Sequence, residues 1–254
     1  ELNFFRPFED LLKTPSPCLY PKLGLNNRTR KMKTIVVSGA SRGIGFELTR
    51  LAQKQGLHVI ALSRNTVPLQ ELGVTVFSVD LSQPKSLSPY VEYLKKENIC
   101  VDFLVNNAGY LKQTPFSESD WEVFESVYRV NVFGLAELTR TTLPFISSTG
   151  HVLSITSMGG IQGSSKFPGL AAYSSSKGAV ITLTELLAEE YNETGPAFNA
   201  LALGAVQTEM LEEAFPGYKA PISAIQMGEY ILDFACRGHE LYNGKVLPVA
   251  KSTP

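Results

Sequence analysis

Short apolar runs alternate with longer amphipathic segments from Lys33 to the end of the chain. The short runs are rich in β-branched residues and predict strands near 34–38, 58–62, 74–79, 101–105, 151–156, 197–202 and 245–249. The longer segments predict helices near 43–55, 84–97, 118–146, 173–193 and 222–236. This alternation is typical of an α/β fold, here a single domain around a doubly wound seven-stranded parallel sheet.

Two of the predicted strands are almost continuously apolar, with TIVV at 34–37 and FLV at 103–105. Such strands suit a sheet that is covered by helices on both faces. We find no internal repeat and no low-complexity segment.

The first 31 residues differ from the rest of the chain in composition and pattern. They contain four prolines and the start of a basic cluster that runs from Arg28 to Lys33, and they show no sustained periodicity. A mitochondrial transit peptide fits poorly, because the segment also carries acidic residues. Two interpretations remain, a loosely attached arm and residues upstream of the natural start, and we favour the second. We therefore expect one domain over residues 32–254 and predict that deleting residues 1–31 leaves folding and activity intact.

The bulk composition indicates a small-molecule partner. The chain has 254 residues, 44% hydrophobic and 19% charged, and its 23 basic and 24 acidic side chains give a formal net charge of -1. That balance provides no field to hold nucleic acid or an anionic membrane. No run approaches the roughly 18 to 20 apolar residues that span a bilayer, and the N-terminus lacks the pattern of a signal peptide.

The three cysteines, Cys18, Cys100 and Cys236, are odd in number and widely spaced. Their spacing argues against a disulfide framework or a zinc site. A reducing compartment fits this usage best, and we expect a cytoplasmic protein.

The segment SGASRGIG at 38–45 follows the first predicted strand and opens the first predicted helix. A turn in this position brings backbone N–H groups and the positive end of a helix dipole to a pyrophosphate. Its spacing is Gly-x-x-x-Gly-x-Gly, whereas the dinucleotide fingerprint is Gly-x-Gly-x-x-Gly. Taken alone, the loop therefore fits a nucleotide site and an ordinary tight turn equally well.

The end of the second predicted strand reads Ser63-Arg64. An acidic residue there would accept hydrogen bonds from the 2'-hydroxyl of NAD. Arg64, together with Arg42 in the glycine loop, can instead pair with the 2'-phosphate of NADP. Either arginine alone could be an ordinary surface charge, but two in loops that should meet at the adenosine ribose favour NADP.

Tyr173 and Lys177 lie four residues apart at the start of a predicted helix and share one face. A nearby ammonium lowers the pKa of a phenol from its usual value near 10, and a tyrosine can then act in acid-base catalysis at neutral pH. A surface pair at this spacing is also common, so the spacing alone leaves both interpretations open.

Four motifs in this order resemble the short-chain dehydrogenase/reductase family, from Met32 to about Val249. They are SGASRGIG, NNAG at 106–109, YSSSK at 173–177 and LALGAVQTEM at 201–210. The resemblance implies a Rossmann fold, NADP(H) as cofactor and a carbonyl or alcohol as substrate. It also implies a homodimer or homotetramer that pairs through the predicted helices 118–146 and 173–193.

The resemblance also assigns catalytic roles. Tyr173 would give a proton to the substrate carbonyl oxygen, and Ser157 would hydrogen-bond and polarise the same oxygen. Lys177 would lower the pKa of the tyrosine and hold the nicotinamide ribose. Asn131 would anchor a water that relays protons to the lysine. Outside the family context, Ser157 and Asn131 also fit ordinary structural roles.

For the cofactor, the resemblance places Asp80 at the adenine, Asn107 on the adenosine side, and Thr208 with Val206 at the nicotinamide carboxamide. Asp80 alone also fits a turn cap. The complete set of implied cofactor residues is Gly39, Ser41, Arg42, Gly43, Ile44, Gly45, Ser63, Arg64, Asp80, Leu81, Asn107, Ala108, Gly109, Tyr173, Lys177, Gly204, Val206 and Thr208.

The chain departs from the family pattern between Ser157 and Tyr173, where fifteen residues stand in place of the usual twelve. We expect the three extra residues to form a longer surface loop, because closure entropy grows slowly with length. Gly160 occupies the uninserted position and has no hydroxyl, so Ser157 remains the candidate.

Two further departures lie near the nicotinamide. Leu203 replaces a proline, which predicts a more mobile cofactor edge. The substrate lid at 209–221 is short, which predicts an open pocket. Candidates to line it are Phe167, Leu170, Met210 and Phe215.

The sequence therefore predicts an NADPH-dependent oxidoreductase that transfers hydride between nicotinamide and a small carbonyl or alcohol substrate, with Tyr173 as general acid/base. One alternative is a non-catalytic NADP-binding sensor or scaffold with the same fold. Another is a family member that performs epimerisation or dehydration.

Overall fold

The computed structural model describes Cys18 and residues 32–251, which contain one seven-stranded parallel sheet. The strand order is β3-β2-β1-β4-β5-β6-β7. This confirms the predicted doubly wound α/β fold. The strands are Thr34–Ser38 (β1), His58–Ser63 (β2), Thr75–Ser78 (β3), Val101–Asn106 (β4), Ile146–Ser157 (β5), Ala197–Leu203 (β6) and Val246–Val249 (β7).

Seven α-helices accompany these strands in the described part of the chain. They are Gly43–Lys54 (α1), Ser88–Lys96 (α2), Trp121–Tyr128 (α3), Leu135–Thr142 (α4), Ala171–Glu190 (α5), Glu209–Ala214 (α6) and Ala224–Arg237 (α7).

Two elements differ from the prediction. The single helix expected over 118–146 is divided into α3 and α4 by a π-helical segment, Arg129–Gly134, and its last residue already belongs to β5. The short lid contains α6, which the sequence pattern did not predict. Thr208 starts this helix by accepting a hydrogen bond from the Leu211 N–H through its side chain.

The apolar run in β1 is explained by helices on both faces of the sheet. Ile35 and Val37 pack in a core with α1 and α7, whereas Val36 points to the opposite face and packs in a second core with α2 and α4. All three side chains have no exposed surface. Burial of each contributes about 1.5–3 kcal/mol to folding, so neither face of the strand tolerates a polar residue.

The order of the strands creates a crevice at one edge of the sheet. The chain moves from β1 to β2 in one direction, and β4 pairs on the other side of β1. The helices that follow β1 and β4 therefore pack on opposite faces of the sheet, which leaves a crevice at the carboxyl ends of these strands, where open parallel sheets bind ligands.

Cys18 and Cys100 form a disulfide with their Cα atoms 5.8 Å apart. The cysteine spacing argued against a disulfide framework and did not indicate this single pair. They are 82 positions apart, so only the tertiary fold brings them together. Because two of the three cysteines form a disulfide, the cysteine content no longer supports the expectation of a reducing compartment. The other predictions for residues 1–31 lie outside the described residues.

Within the described part of the chain, no helix has both the length and the apolar character that crossing a bilayer requires.

Candidate active site

A cavity of about 780 Å³ opens at the carboxyl ends of the central strands. It runs from the glycine loop at 38–45 to the start of α5 and the lid at 209–221. Every residue that the sequence assigned to catalysis or cofactor binding lines this cavity, except Asn131. The fold thus brings together segments that are far apart along the chain.

The glycine loop packs too closely for side chains. Gly39 has a φ of +68°, and a Cβ there would lie 2.7 Å from the Cα of Ala108. A Cβ on Gly45 would overlap the carbonyl oxygen of Gly39. The loop therefore presents bare backbone at the N-terminus of α1, as binding of a pyrophosphate requires.

The hydroxyl of Ser38, which is buried, ties the glycine loop to the segment after β4. It accepts hydrogen bonds from the N–H groups of Asn107 at 3.2 Å and Ala108 at 3.1 Å, and donates to the Val105 carbonyl at 3.4 Å. The sequence assigned no such role to Ser38. The available signal was its place as a hydroxyl residue at the end of β1, directly before Gly39.

Asn107 acts on the loop itself in this structure. Its side-chain amide donates to the carbonyl oxygens of Ser38 at 3.0 Å and Gly39 at 3.2 Å. Its side chain therefore positions the glycine loop, while the backbone of the segment lines the cavity.

At the adenosine end, the hydroxyl of Ser63 donates to that of Ser41 at 2.7 Å and joins the end of β2 to the glycine loop. Asp80 accepts from both the N–H and the hydroxyl of Ser82, at 2.9 and 2.8 Å, through its Oδ1 atom. Asp80 thus caps a turn as well as lining the cavity, and the exposed Arg64 lines the same cavity.

Arg42 has a partner that the sequence did not indicate. Its guanidinium lies 2.6 Å from a carboxylate oxygen of Glu213 in α6, and both side chains are largely exposed. The pair links the glycine loop to the lid. No local pattern could have predicted it, because the two residues are 171 positions apart and α6 itself was not predicted.

The four candidate catalytic residues come from three elements. Ser157 ends β5, Tyr173 and Lys177 lie in the first turns of α5, and Asn131 lies in the π-helical segment. Ser157 and Tyr173 both line the cavity, and the Ser157 hydroxyl accepts from the Gly159 N–H at 3.3 Å. The Lys177 ammonium donates to the Ile155 carbonyl at 2.9 Å and lies 5.7 Å from the centre of the Tyr173 ring.

Burial decides the pKa values of this pair. It raises the pKa of Tyr173 to about 12, with a smaller opposing effect from the Ser157 hydroxyl, and it lowers the pKa of Lys177 to about 8. The predicted lowering of the phenol pKa is therefore wrong for this structure, because loss of water around the phenolate outweighs the effect of Ser157. Tyr173 is protonated at neutral pH.

Asn131 is fully buried behind the cavity wall. Its Oδ1 accepts from the Tyr110 N–H at 2.7 Å, and its Nδ2 donates to the Tyr110 carbonyl and the Ser176 hydroxyl, each at 2.9 Å. These bonds fix the segment after Gly109. A Cβ built on Gly109 would lie 3.5 Å from the Lys177 ammonium and 3.7 Å from Asn131 Oδ1, so both groups meet at this glycine.

The inserted segment after Ser157 is folded back on itself. The Lys166 ammonium donates to the Ile161 carbonyl at 2.6 Å and to the Ser164 hydroxyl at 2.8 Å. Gly160 packs against the backbone of α5, where a Cβ would lie 2.7 Å from the carbonyl carbon of Lys177. The expected longer loop is present, and it carries Phe167 to the cavity wall.

The sequence profile described as short chain dehydrogenase matches residues 33–219. The chain belongs to the short-chain dehydrogenase family. Among curated members, a 3-oxoacyl-[acyl-carrier-protein] reductase of Rickettsia bellii is 31% identical over 207 residues, covering 78% of this chain and 83% of that protein. The L-fucose dehydrogenase of Mus musculus is 31% identical over 204 residues, covering 77% of this chain and 73% of that protein.

Solved structures of other short-chain dehydrogenases agree with the fold. A 4-hydroxyisoleucine dehydrogenase complexed with NADH has a TM-score of 0.77 at 25% identity and covers 86% of this chain and 97% of its own. An actinorhodin polyketide ketoreductase with NADPH has a TM-score of 0.77 at 25% identity and covers 87% and 97%. Both nicotinamide cofactors thus occur among these relatives.

Proposed function

We propose that this short-chain dehydrogenase is an NADPH-dependent reductase of small carbonyl compounds, which also runs in the alcohol-oxidising direction, with Tyr173 as general acid/base. The observation that carries the proposal is that Ser157 and Tyr173 line the same 780 Å³ cavity, with the Ser157 hydroxyl close enough to affect the pKa of the phenol and the Lys177 ammonium 5.7 Å from the centre of its ring.

The residues present suit a dinucleotide. The bare backbone of the glycine loop at the start of α1 would hold the pyrophosphate, and Lys177 would hold the nicotinamide ribose. Thr208 and Val206 line the cavity beside Gly204, where the carboxamide would be held. The nicotinamide, when bound, supplies the hydride.

Tyr173 is suited to donate a proton in the reducing direction. Its raised pKa keeps the phenol protonated at neutral pH, and the Ser157 hydroxyl lines the same cavity. A carbonyl oxygen bound between the two hydroxyls is polarised and receives the proton as negative charge develops on it. Lys177 stabilises the phenolate left after the transfer, since its ammonium is buried beside the ring.

A preference for NADPH over NADH rests on Arg42 and Arg64. Both line the adenosine end of the cavity, and no carboxylate follows β2 to accept from a 2'-hydroxyl. A 2'-phosphate pairs with guanidinium groups through charge-assisted hydrogen bonds. The 2'-phosphate would compete with Glu213 for Arg42. Arg64 has no carboxylate partner among the described residues, so it is available to the phosphate without such competition.

The matched variant for catalysis is Tyr173→Phe, which keeps the ring and deletes the hydroxyl. Screening a carbonyl panel while following NADPH absorbance should show at least a 100-fold loss of kcat in the variant with unchanged NADPH affinity. Turnover as fast as in the parent would refute the acid-base role. NADPH binding without oxidation across the panel by the parent would support the alternative of a sensor.

The matched variants for the cofactor are Arg64→Ala and Arg64→Lys. Calorimetric titration should show that Arg64→Ala weakens NADPH at least 10-fold and leaves NADH nearly unchanged, because only NADPH carries the 2'-phosphate. Arg64→Lys should retain part of the affinity, since it retains the charge. Equal losses for both cofactors would refute the phosphate contact.

A further inference from the structure

The wall of the cavity around Ser157 and Tyr173 is built mainly from apolar side chains. The segment after β4 contributes Leu111, β5 is followed by Met158, and the lid contributes Met210. These residues line the same cavity as Ser157 and Tyr173.

Two phenylalanines close this wall from opposite sides. Phe167 comes from the inserted segment and Phe215 from the residue after α6, and their ring centres are 6.3 Å apart at an interplanar angle of 63°. We call this pair the aromatic wall. An edge-to-face pair of this kind is a specific contact, and aryl groups bind well to such rings.

The aromatic wall is held in place by hydrogen bonds on both sides. On the Phe167 side, the Gly169 carbonyl accepts from the Thr114 N–H at 2.9 Å, which fastens the inserted segment to the segment after β4. On the Phe215 side, the Tyr218 N–H donates to the Phe215 carbonyl at 3.1 Å, and Gln207 accepts from the Ala220 N–H at 2.8 Å. Both rings are therefore presented by tethered backbone.

The charges along the cavity are distributed unevenly. Of the described residues that line it, the cationic ones are Arg42 and Arg64 at the adenosine end and Lys177, whose ammonium donates to the Ile155 carbonyl. Glu209, at the start of the lid, adds a carboxylate. The Glu209 carboxylate lies against the glycine loop, 3.4 Å from a Cβ built on Gly43. A substrate carboxylate or phosphate beside the aromatic wall would therefore find, among the described lining residues outside the adenosine end, no cation other than Lys177.

We propose that the aromatic wall binds the apolar portion of the substrate, so that the enzyme acts on uncharged carbonyl compounds that bear an aryl or similarly bulky apolar group. This substrate class rests on the proposed reductase function. A polyhydroxylated sugar fits poorly, because apolar side chains leave its hydroxyls without hydrogen-bond partners. The carbonyl would lie at Ser157 and Tyr173 with its apolar group against Phe167 and Phe215.

The test measures binding to the full chain saturated with NADP. The ligands are acetophenone, 4-acetylbenzoate, which adds a carboxylate to the same ketone, and L-fucose. We expect acetophenone to bind at least 10-fold more tightly than either of the others. Equal or tighter binding of 4-acetylbenzoate or L-fucose would overturn the proposal.

Matched variants locate the site. Phe215→Ala and Phe167→Ala should each weaken acetophenone about 10-fold, and Phe215→Leu should weaken it less because it keeps an apolar side chain. Phe116→Ala removes a phenylalanine that is 73% exposed outside the cavity and should change nothing. The proposal would be overturned if Phe215→Ala and Phe167→Ala bound acetophenone as tightly as Phe116→Ala does. Retained NADP affinity in Phe215→Ala and Phe167→Ala shows that both variants are folded.

The two proposals fail separately. Acetophenone binding that is weakened by Phe215→Ala, without NADPH oxidation, would refute the reductase function and support substrate binding by the aromatic wall. NADPH oxidation with polar carbonyl compounds, at rates that Phe215→Ala does not change, would support the reductase function and refute substrate binding by the aromatic wall.

Discussion

His151 makes the stability of this protein depend on pH. It lies in β5, has no exposed surface, and is held in its neutral form by two hydrogen bonds. Its Nδ1 donates to the Ala235 carbonyl at 3.0 Å, and its Nε2 accepts from the Asn199 amide at 3.0 Å. The ring of His239, the neighbouring titratable group, lies 5.4 Å away.

Burial lowers the pKa of His151 to about 4, with a smaller contribution in the same direction from His239. Unfolding restores a pKa of about 6.5, so the unfolded chain binds the proton more readily. Stability is therefore complete above pH 6.5 and falls as the pH drops toward 4. The shift corresponds to about 3 kcal/mol in total, of which about 2 kcal/mol is lost between pH 7.5 and pH 5.

Urea unfolding of the parent and of His151→Gln at pH 7.5 and pH 5 measures this effect. Gln can make similar hydrogen bonds but does not titrate, so the variant should lose about 2 kcal/mol less than the parent between the two pH values. Carboxylates titrate in both proteins and cancel in the comparison. His239→Gln should retain most of the parent's pH dependence. Identical pH dependence in the parent and His151→Gln would refute the reasoning.

Three further predictions concern the cofactor end of the cavity. Gly45→Ala should lower NADPH affinity more than 10-fold in calorimetric titration, because its Cβ collides with the Gly39 carbonyl; undiminished affinity would contradict the close packing of the loop. Ser38→Ala should lose about 1–3 kcal/mol of unfolding free energy in urea, whereas Ser38→Thr should lose less because it keeps the hydroxyl. Equal losses of unfolding free energy in the two Ser38 variants would argue against stabilisation by the Ser38 hydroxyl. Glu213→Gln should raise NADPH affinity about threefold relative to NADH, since it frees Arg42 from an exposed ion pair. A parallel change for both cofactors would count against competition for Arg42.

The sequence alone determined the architecture because each strand is recognisable locally. The runs at 35–37 and 103–105 are apolar on both faces, and the segments between strands have helical period, so the parallel order follows from the alternation. The motif residues could be assigned to one cavity for a related reason. Three of the four motifs, SGASRGIG, NNAG and LALGAVQTEM, lie at strand ends, and parallel strands bring those ends to one edge of the sheet.

Only the tertiary structure decided the interactions between groups distant along the chain. The Arg42–Glu213 ion pair, the contact between Phe167 and Phe215 and the disulfide of Cys18 have no local pattern.

The pKa of Tyr173 is another property that only the tertiary structure decided. The spacing to Lys177 predicted a lowered pKa, but the degree of burial, which no spacing encodes, raised it. Local patterns determine which residues occupy the strand ends. Three-dimensional packing decides how much water reaches them and which charges they meet, because both depend on segments that the sequence places far away.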